Sequence, residues 1–172
     1  MQLLIAHPSR EELLASVDLS KDIRVSRDQI QLLAPIPRPN KNVICMGLNY
    51  FDHIAEAASA AGRTARKPKA PIVFTKANTS VIGPDAAIPD DPEVSEQLDW
   101  EVELAIIIGK TGKKIPVDKV HEHIFGYTIV IATGTPDGVG FARTPAEYLK
   151  AGDVVTCKVE GIGVLENTLV AV

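Results

Sequence analysis

LDWEVELAIIIG, residues 98–109, is the stretch on which the fold turns. Its acidic and apolar residues alternate: Asp99, Glu101 and Glu103 form one set, Trp100, Val102 and Leu104 the other. A period of two belongs to a strand, not a helix. The run closes on Ala105-Ile-Ile-Ile-Gly, apolar on both faces, which places the acidic half near the interior. Side chains on one face follow each other at about 6.6 Å, close enough to converge on one cation. Carboxylates crowded into a partly buried place take up protons or share a cation, and an all-oxygen set favours a hard ion, Mg²⁺, Mn²⁺ or Ca²⁺. The same pattern also suits an edge strand with a solvated acidic face, so spacing leaves both readings open.

On either side of this stretch, residues 42–47, 72–76, 79–83 and 126–130 are short runs with β-branched residues and glycine or proline ends, each expected as a strand. The tail from Asp153 is expected as a hairpin turning at residues 160–163. Helices are few and short: residues 9–14 behind a capping Ser9, residues 52–61, and residues 117–125. Residues 32–42 carry too many prolines for an interior helix or strand. The expected architecture is α+β, mainly β, with a lead-in over residues 1–35 and one domain over 36–172.

Composition narrows the function. Of 172 residues, 45% are hydrophobic and 23% charged, and the net charge of -4 argues against nucleic acid or an anionic membrane as partner. No apolar run is long enough to span a bilayer, and no basic-then-apolar leader is visible, so a cytoplasmic protein is expected. Cys45 and Cys157 lie far apart and suggest neither a disulfide framework nor a thiolate metal site.

Two further stretches carry chemistry. In GLNYFDHIAEA, residues 47–57, His53 and Glu56 share a helix face, and a carboxylate beside an imidazole fixes its tautomer and raises its basicity. That pair could take a proton from water; an ordinary surface ion pair has the same spacing. Asp52 could cap the helix or reach a cation. In GYTIVIATGTPDGVG, residues 126–140, a strand feeds a glycine-rich turn. The turn lacks both GxGxxG and a Walker lysine, so a nucleotide cradle is not expected. Thr133 and Thr135 in a turn stiffened by Pro136 suit a carboxylate instead.

Taken in order, GLNYFDHIAEA, PIVFTKANTSVIGP, LDWEVELAIIIGK, FGYTIV, TGTPDGVG and LKAGDVVTCKVEGIGVLEN resemble the fumarylacetoacetate hydrolase family over about residues 36–167. The resemblance implies a mixed β-sandwich roll with a few short helices, usually a homodimer, binding Mg²⁺ or Mn²⁺ (Ca²⁺ in some members). It implies an enzyme acting on 2-oxo acids or 1,3-dicarbonyl compounds. The reaction expected first is cleavage of a C–C bond in an acylpyruvate, as in fumarylacetoacetate or fumarylpyruvate hydrolysis. The alternatives are isomerisation or hydration in aromatic catabolism (2-hydroxyhepta-2,4-diene-1,7-dioate isomerase-like) and decarboxylation of oxaloacetate. By the same resemblance, Glu101 and Glu103 match metal ligands, and Asp52 a position that binds metal in some members. His53 and Glu56 match the water-activating pair, while Thr135, Gly134 and Lys76 match substrate-binding positions.

The chain departs from the family where Val130 meets Ile131. There the family has an asparagine–aspartate motif, whose aspartate is the third metal ligand, and a long section with a substrate-binding lysine. Either the chain has lost this section, leaving a pseudoenzyme that serves as a dimer partner, or the full protein carries a segment between the two residues. The intact pattern on both flanks favours the second account. So does the expectation that deleting several strands would leave unpaired edges and exposed apolar surface.

Overall fold

The first strand, β1 (Val43–Gly47), pairs antiparallel with β2 (Ile72–Lys76), Val43 opposite Lys76 and Gly47 opposite Ile72. The structure is a computed structural model that describes residues 25–131 and 136–172, together with 12, 15, 16 and 18. Thr133, Gly134 and Thr135 lie outside the described residues, as does the helix expected over residues 9–14 apart from Glu12.

Between β1 and β2 the chain turns at Leu48, whose φ of 50° is a left-handed conformation uncommon away from glycine. It then forms α1 (Phe51–Ala60), rich in alanine. The helix stops in a Schellman arrangement: the Gly62 N–H donates to Ser59 O and the Arg63 N–H to Ala58 O. Its buried residues are His53 and Ile54.

The central pair is β4 (Val102–Ile108) against β5 (Ile124–Ile131), antiparallel, with a bulge between Ile107 and Ile108. A 3₁₀ helix, Val117–His123, joins them where a helix was expected. Strand β4 is shorter than the expected 98–109. Leu98 makes only an isolated bridge to Leu149, and the Asp99 carboxylate accepts the Trp100 N–H, holding that peptide out of the ladder.

The third sheet has the order β3-β7-β6: β6 (Val154–Val159) and β7 (Gly163–Ala171) form the expected hairpin, and β3 (Ile88–Asp90) lies parallel to β7. Strand β3 escaped notice because it is three residues long and contains Pro89, tolerated at a sheet edge. Residues 79–83, expected as a strand, are not one. Their start is a 3₁₀ turn, Asn78–Ser80, and the Gly83 carbonyl accepts a bond from the buried Asn167 side chain at 2.9 Å.

The core forms where the hairpin meets β4 and β5. Val155, Cys157 and Leu169 are buried there against Ile88, Leu98, Trp100, Val102, Ile129, Ile131, Leu149 and Leu165. Strand β5 crosses the Val130–Ile131 junction as one strand, with Val130 opposite Glu103 and Ile131 opposite Val102. Side-chain alternation carries through this point, so Ile129 and Ile131 both reach the core.

The core is small. Only six hydrophobic residues among those described are buried, while Ile44, Val73, Phe74, Leu104, Ile106 and Ile108 on the outer sheet faces stand exposed. No described helix is long and apolar enough to cross a membrane. The mainly-β α+β class holds.

Candidate active site

The site begins on α1. His53 is 9% exposed, and its Nδ1 lies 3.5 Å from Glu56 Oε2 one turn on, beyond an ordinary N–H···O bond but within ion-pair reach. The Phe141 ring meets the imidazole edge-on, centroids 6.5 Å apart at 87°. Glu56 is held from across the chain: the Gly138 N–H donates to both its oxygens, at 2.9 and 3.1 Å. Gly138 has a φ of +107°, which glycine adopts at little cost.

The loop that brings Gly138 and Phe141 to α1 is clamped from its other side by Asp99. One carboxylate oxygen accepts the Gly140 N–H at 2.7 Å, and the other accepts the Phe141 N–H at 2.8 Å. Trp100 Nε1–H donates to Gly138 O at 3.0 Å. Gly140 is buried with no room for a side chain, since a Cβ would lie 2.8 Å from the Trp100 ring and closer still to the Glu147 carbonyl oxygen. Arg143 covers the indole at 4.9 Å and bonds Glu147 at 2.6 Å.

Sequence reasoning placed Asp99 with the metal-facing carboxylates and passed over Gly138 and Phe141. The structure gives Asp99 to backbone N–H groups instead. A signal was present in the glycine density at 138 and 140, which marks a loop in tight contact with something.

The two expected metal-binding glutamates lie at the start of β4, Glu101 just before it and Glu103 within it. Glu103 is 3% exposed and Glu101 half-buried. Both act on the buried Cys45 thiol of β1, which is raised above its ordinary value chiefly by burial and then by Glu103 and Glu101, with Lys76 opposing. The Cys45 thiol thus feels the charge of both glutamates and of the half-buried Lys76. Asp52 sits exposed in the first turn of α1.

Among the described residues, no group of three or more His, Cys, Asp or Glu side chains could hold a metal ion. Ca²⁺ takes about six to eight oxygens, while Mg²⁺ takes about six and keeps several of them as water. Glu101, just before β4, and Glu103, within it, offer two carboxylates, too few for a Ca²⁺ cage, whereas Mg²⁺ or Mn²⁺ held there would draw its remaining oxygens from water and substrate.

The family pattern itself divides at the Val130–Ile131 junction. The sequence model for fumarylacetoacetate (FAA) hydrolase, C-terminal, matches residues 42–131 and, separately, 130–170. The chain belongs to the fumarylacetoacetate hydrolase family.

Among similar proteins, oxaloacetate tautomerase YisK of Bacillus subtilis (strain 168) is 29% identical over 228 residues, covering 84% of this chain and 74% of that protein. That span exceeds the 172 residues present here, so the relative carries residues inside the match that this chain lacks. The fumarylacetoacetate hydrolase from psychrophilic Exiguobacterium antarcticum superposes with a TM-score of 0.74 at 29% identity, covering 91% of this chain and 84% of that one. The 5-carboxymethyl-2-hydroxymuconate delta-isomerase from Mycobacterium smegmatis gives 0.62 at 25% identity, covering 83% and 82%. Proteins similar to this chain are thus named as tautomerases, isomerases and hydrolases, and enzymes make up the family context of the chain.

Proposed function

We propose that this family member moves a proton at the carbon beside the keto group of a 2-oxo acid, converting keto to enol, with oxaloacetate as the first substrate to try. The observation that carries the reading is the buried His53 beside a Glu56 whose two oxygens are anchored on one backbone N–H. With Glu56 on the Nδ1 side, Nε2 is the nitrogen that takes the C3 proton. The C–H electron pair becomes the C2=C3 double bond while the carbonyl π pair moves onto the keto oxygen, and the same nitrogen returns the proton to that oxygen to give the enol. Glu56 keeps the Nδ1 proton in place and stabilises the imidazolium between the two steps. Lys76 and Thr135 are proposed to meet the substrate's carboxylate. This reaction demands least of the metal set, and it agrees with the activity named for the Bacillus subtilis relative.

Hydrolytic C–C cleavage of an acylpyruvate is the second reading, favoured by the likeness to the Exiguobacterium antarcticum hydrolase. It asks more of the site, because a water must also be held and activated to attack the distal carbonyl before the C–C bond breaks.

The test follows the ultraviolet absorbance of the oxaloacetate enol with wild type and His53→Ala, with and without Mn²⁺, and assays acylpyruvate cleavage in parallel. Wild type is expected to speed enol–keto exchange, and His53→Ala to lose about 10²–10⁴-fold. Equal rates with and without protein refute the reading. Acylpyruvate cleavage without enol exchange selects the second.

We further propose that the chain works as a homodimer. The exposed faces of β1–β2 and β4–β5 are apolar, with Ile44, Met46 and Val73 on one and Leu104, Ile106 and Ile108 on the other, and such faces suit a second copy. Light scattering should give twice the chain mass, and a monomer at micromolar concentration would overturn this. Intact mass under denaturing conditions separates a second copy from a segment lying between Val130 and Ile131: 18.5 kDa means the surface is covered by another chain.

A further inference from the structure

We infer that Asp99 is a positioning residue for the His53–Glu56 pair, acting through the loop of residues 136–142; this rests on the acid–base reading above. Three observations meet here. Asp99 accepts three backbone N–H groups, its neighbour Trp100 at 2.7 Å, Gly140 at 2.7 Å and Phe141 at 2.8 Å. The residue just before Gly140 is Val139, 1% exposed, and Gly138 beyond it holds both Glu56 oxygens. Phe141, whose N–H Asp99 holds, lays its ring against His53.

One carboxylate therefore sets two contacts on the catalytic pair at once, the Glu56 anchor and the imidazole's aromatic neighbour, without touching either residue. Trp100 adds a second tie from the same side through its indole N–H on Gly138 O. Carboxylate bonds to peptide N–H groups are charge-assisted and short, which suits a clamp. The packing of Gly140 against Trp100 leaves the loop no slack to take up a lost bond.

The test is Asp99→Asn. An amide keeps one acceptor oxygen and turns an NH₂ toward a peptide N–H, so one side of the clamp is lost. Hydrogen–deuterium exchange should quicken at the amides of Gly138, Gly140 and Phe141. Acrylamide should quench Trp100 more strongly, a clean readout because Trp100 is the chain's single tryptophan. On oxaloacetate, kcat should fall about 10–100-fold with KM nearly unchanged, as expected for a misplaced catalytic group. If Asp99→Asn does not fold, Trp100→Phe, which removes only the indole tie, should change exchange and kcat in the same direction by less.

Unchanged exchange in residues 138–141 overturns the clamp. Faster exchange with wild-type kcat overturns the coupling to His53, because a role in stability alone lowers the melting temperature and leaves kcat intact below it. If wild type itself shows no turnover, the proposed function fails, and exchange with quenching still decides the clamp.

Discussion

Replacing Gly140 with alanine adds one methyl group at a place where the structure has none to spare. A Cβ there would stand 2.8 Å from two atoms of the Trp100 ring and inside contact distance of the Glu147 carbonyl oxygen. Trp100 is held by its N–H on Gly138 O and by Arg143 on its face, so it cannot swing aside cheaply. The Glu147 oxygen belongs to the backbone, and the Glu147 N–H is tied to Gly140 O at 3.0 Å, so no rotamer change relieves the contact. Overpacking of this kind costs about 1–3 kcal/mol. Displacing the Gly140 N–H from the Asp99 carboxylate adds roughly 1.5–3 kcal/mol for a charged hydrogen bond. Together these predict a loss of about 3–5 kcal/mol, or about 6–20 °C in melting temperature for a chain of this size. Urea unfolding followed by Trp100 fluorescence measures it. Gly126→Ala on β5 is the control, since a Cβ there meets nothing within 4 Å, and its stability should stay level or rise by up to about 1 kcal/mol. A loss below about 1 kcal/mol in Gly140→Ala would refute the picture of a rigid loop.

Glu56→Gln keeps an acceptor for Gly138 but removes the charge beside His53; turnover should fall about 10²-fold with little change in melting temperature, and equal turnover would remove Glu56 from the mechanism. Burial raises both thiols, Cys45 and Cys157, above their ordinary value of 9.0. As pH rises the unfolded chain releases these protons first, so their contribution to stability is full below about pH 9 and declines above it. The urea midpoint should drop between pH 8 and pH 10, and less so in a double Cys→Ala variant; an equal drop in both would deny the thiols a part. Calorimetric titration with Mn²⁺ should show binding no tighter than about millimolar, given two carboxylates in place of a full oxygen set. One-to-one binding in the micromolar range would show that a third ligand is reached.

Much of the fold was legible because its signals are local. Strands β1, β2, β5, β6 and β7 and helix α1 fall within a residue or two of where alternation, helix formers and glycine ends place them. The errors arise where distant partners decide. Residues 79–83 have a strand's composition, but Asn167, 84 positions away, takes the Gly83 carbonyl. Strand β3 exists only because β7 lies beside it. The candidate site shows the same division. His53 and Glu56 were visible through their helical spacing, whereas Asp99 looked like one more acid on an acidic face. Its true partners lie 41 and 42 residues further along the chain and offer backbone, not side chains.

The contact between Glu56 and Gly138 has a consequence for how this site can be studied. Its donor is a peptide group, present whatever residue occupies position 138, so a side-chain scan passes over it in silence. Such a scan at 138 would register only the cost of forcing other residues into a φ of +107° and would be mistaken for a purely conformational requirement. The bond becomes visible only by changing the atom itself, with an amide-to-ester replacement at Gly138 made by semisynthesis, which deletes the N–H and leaves the glycine.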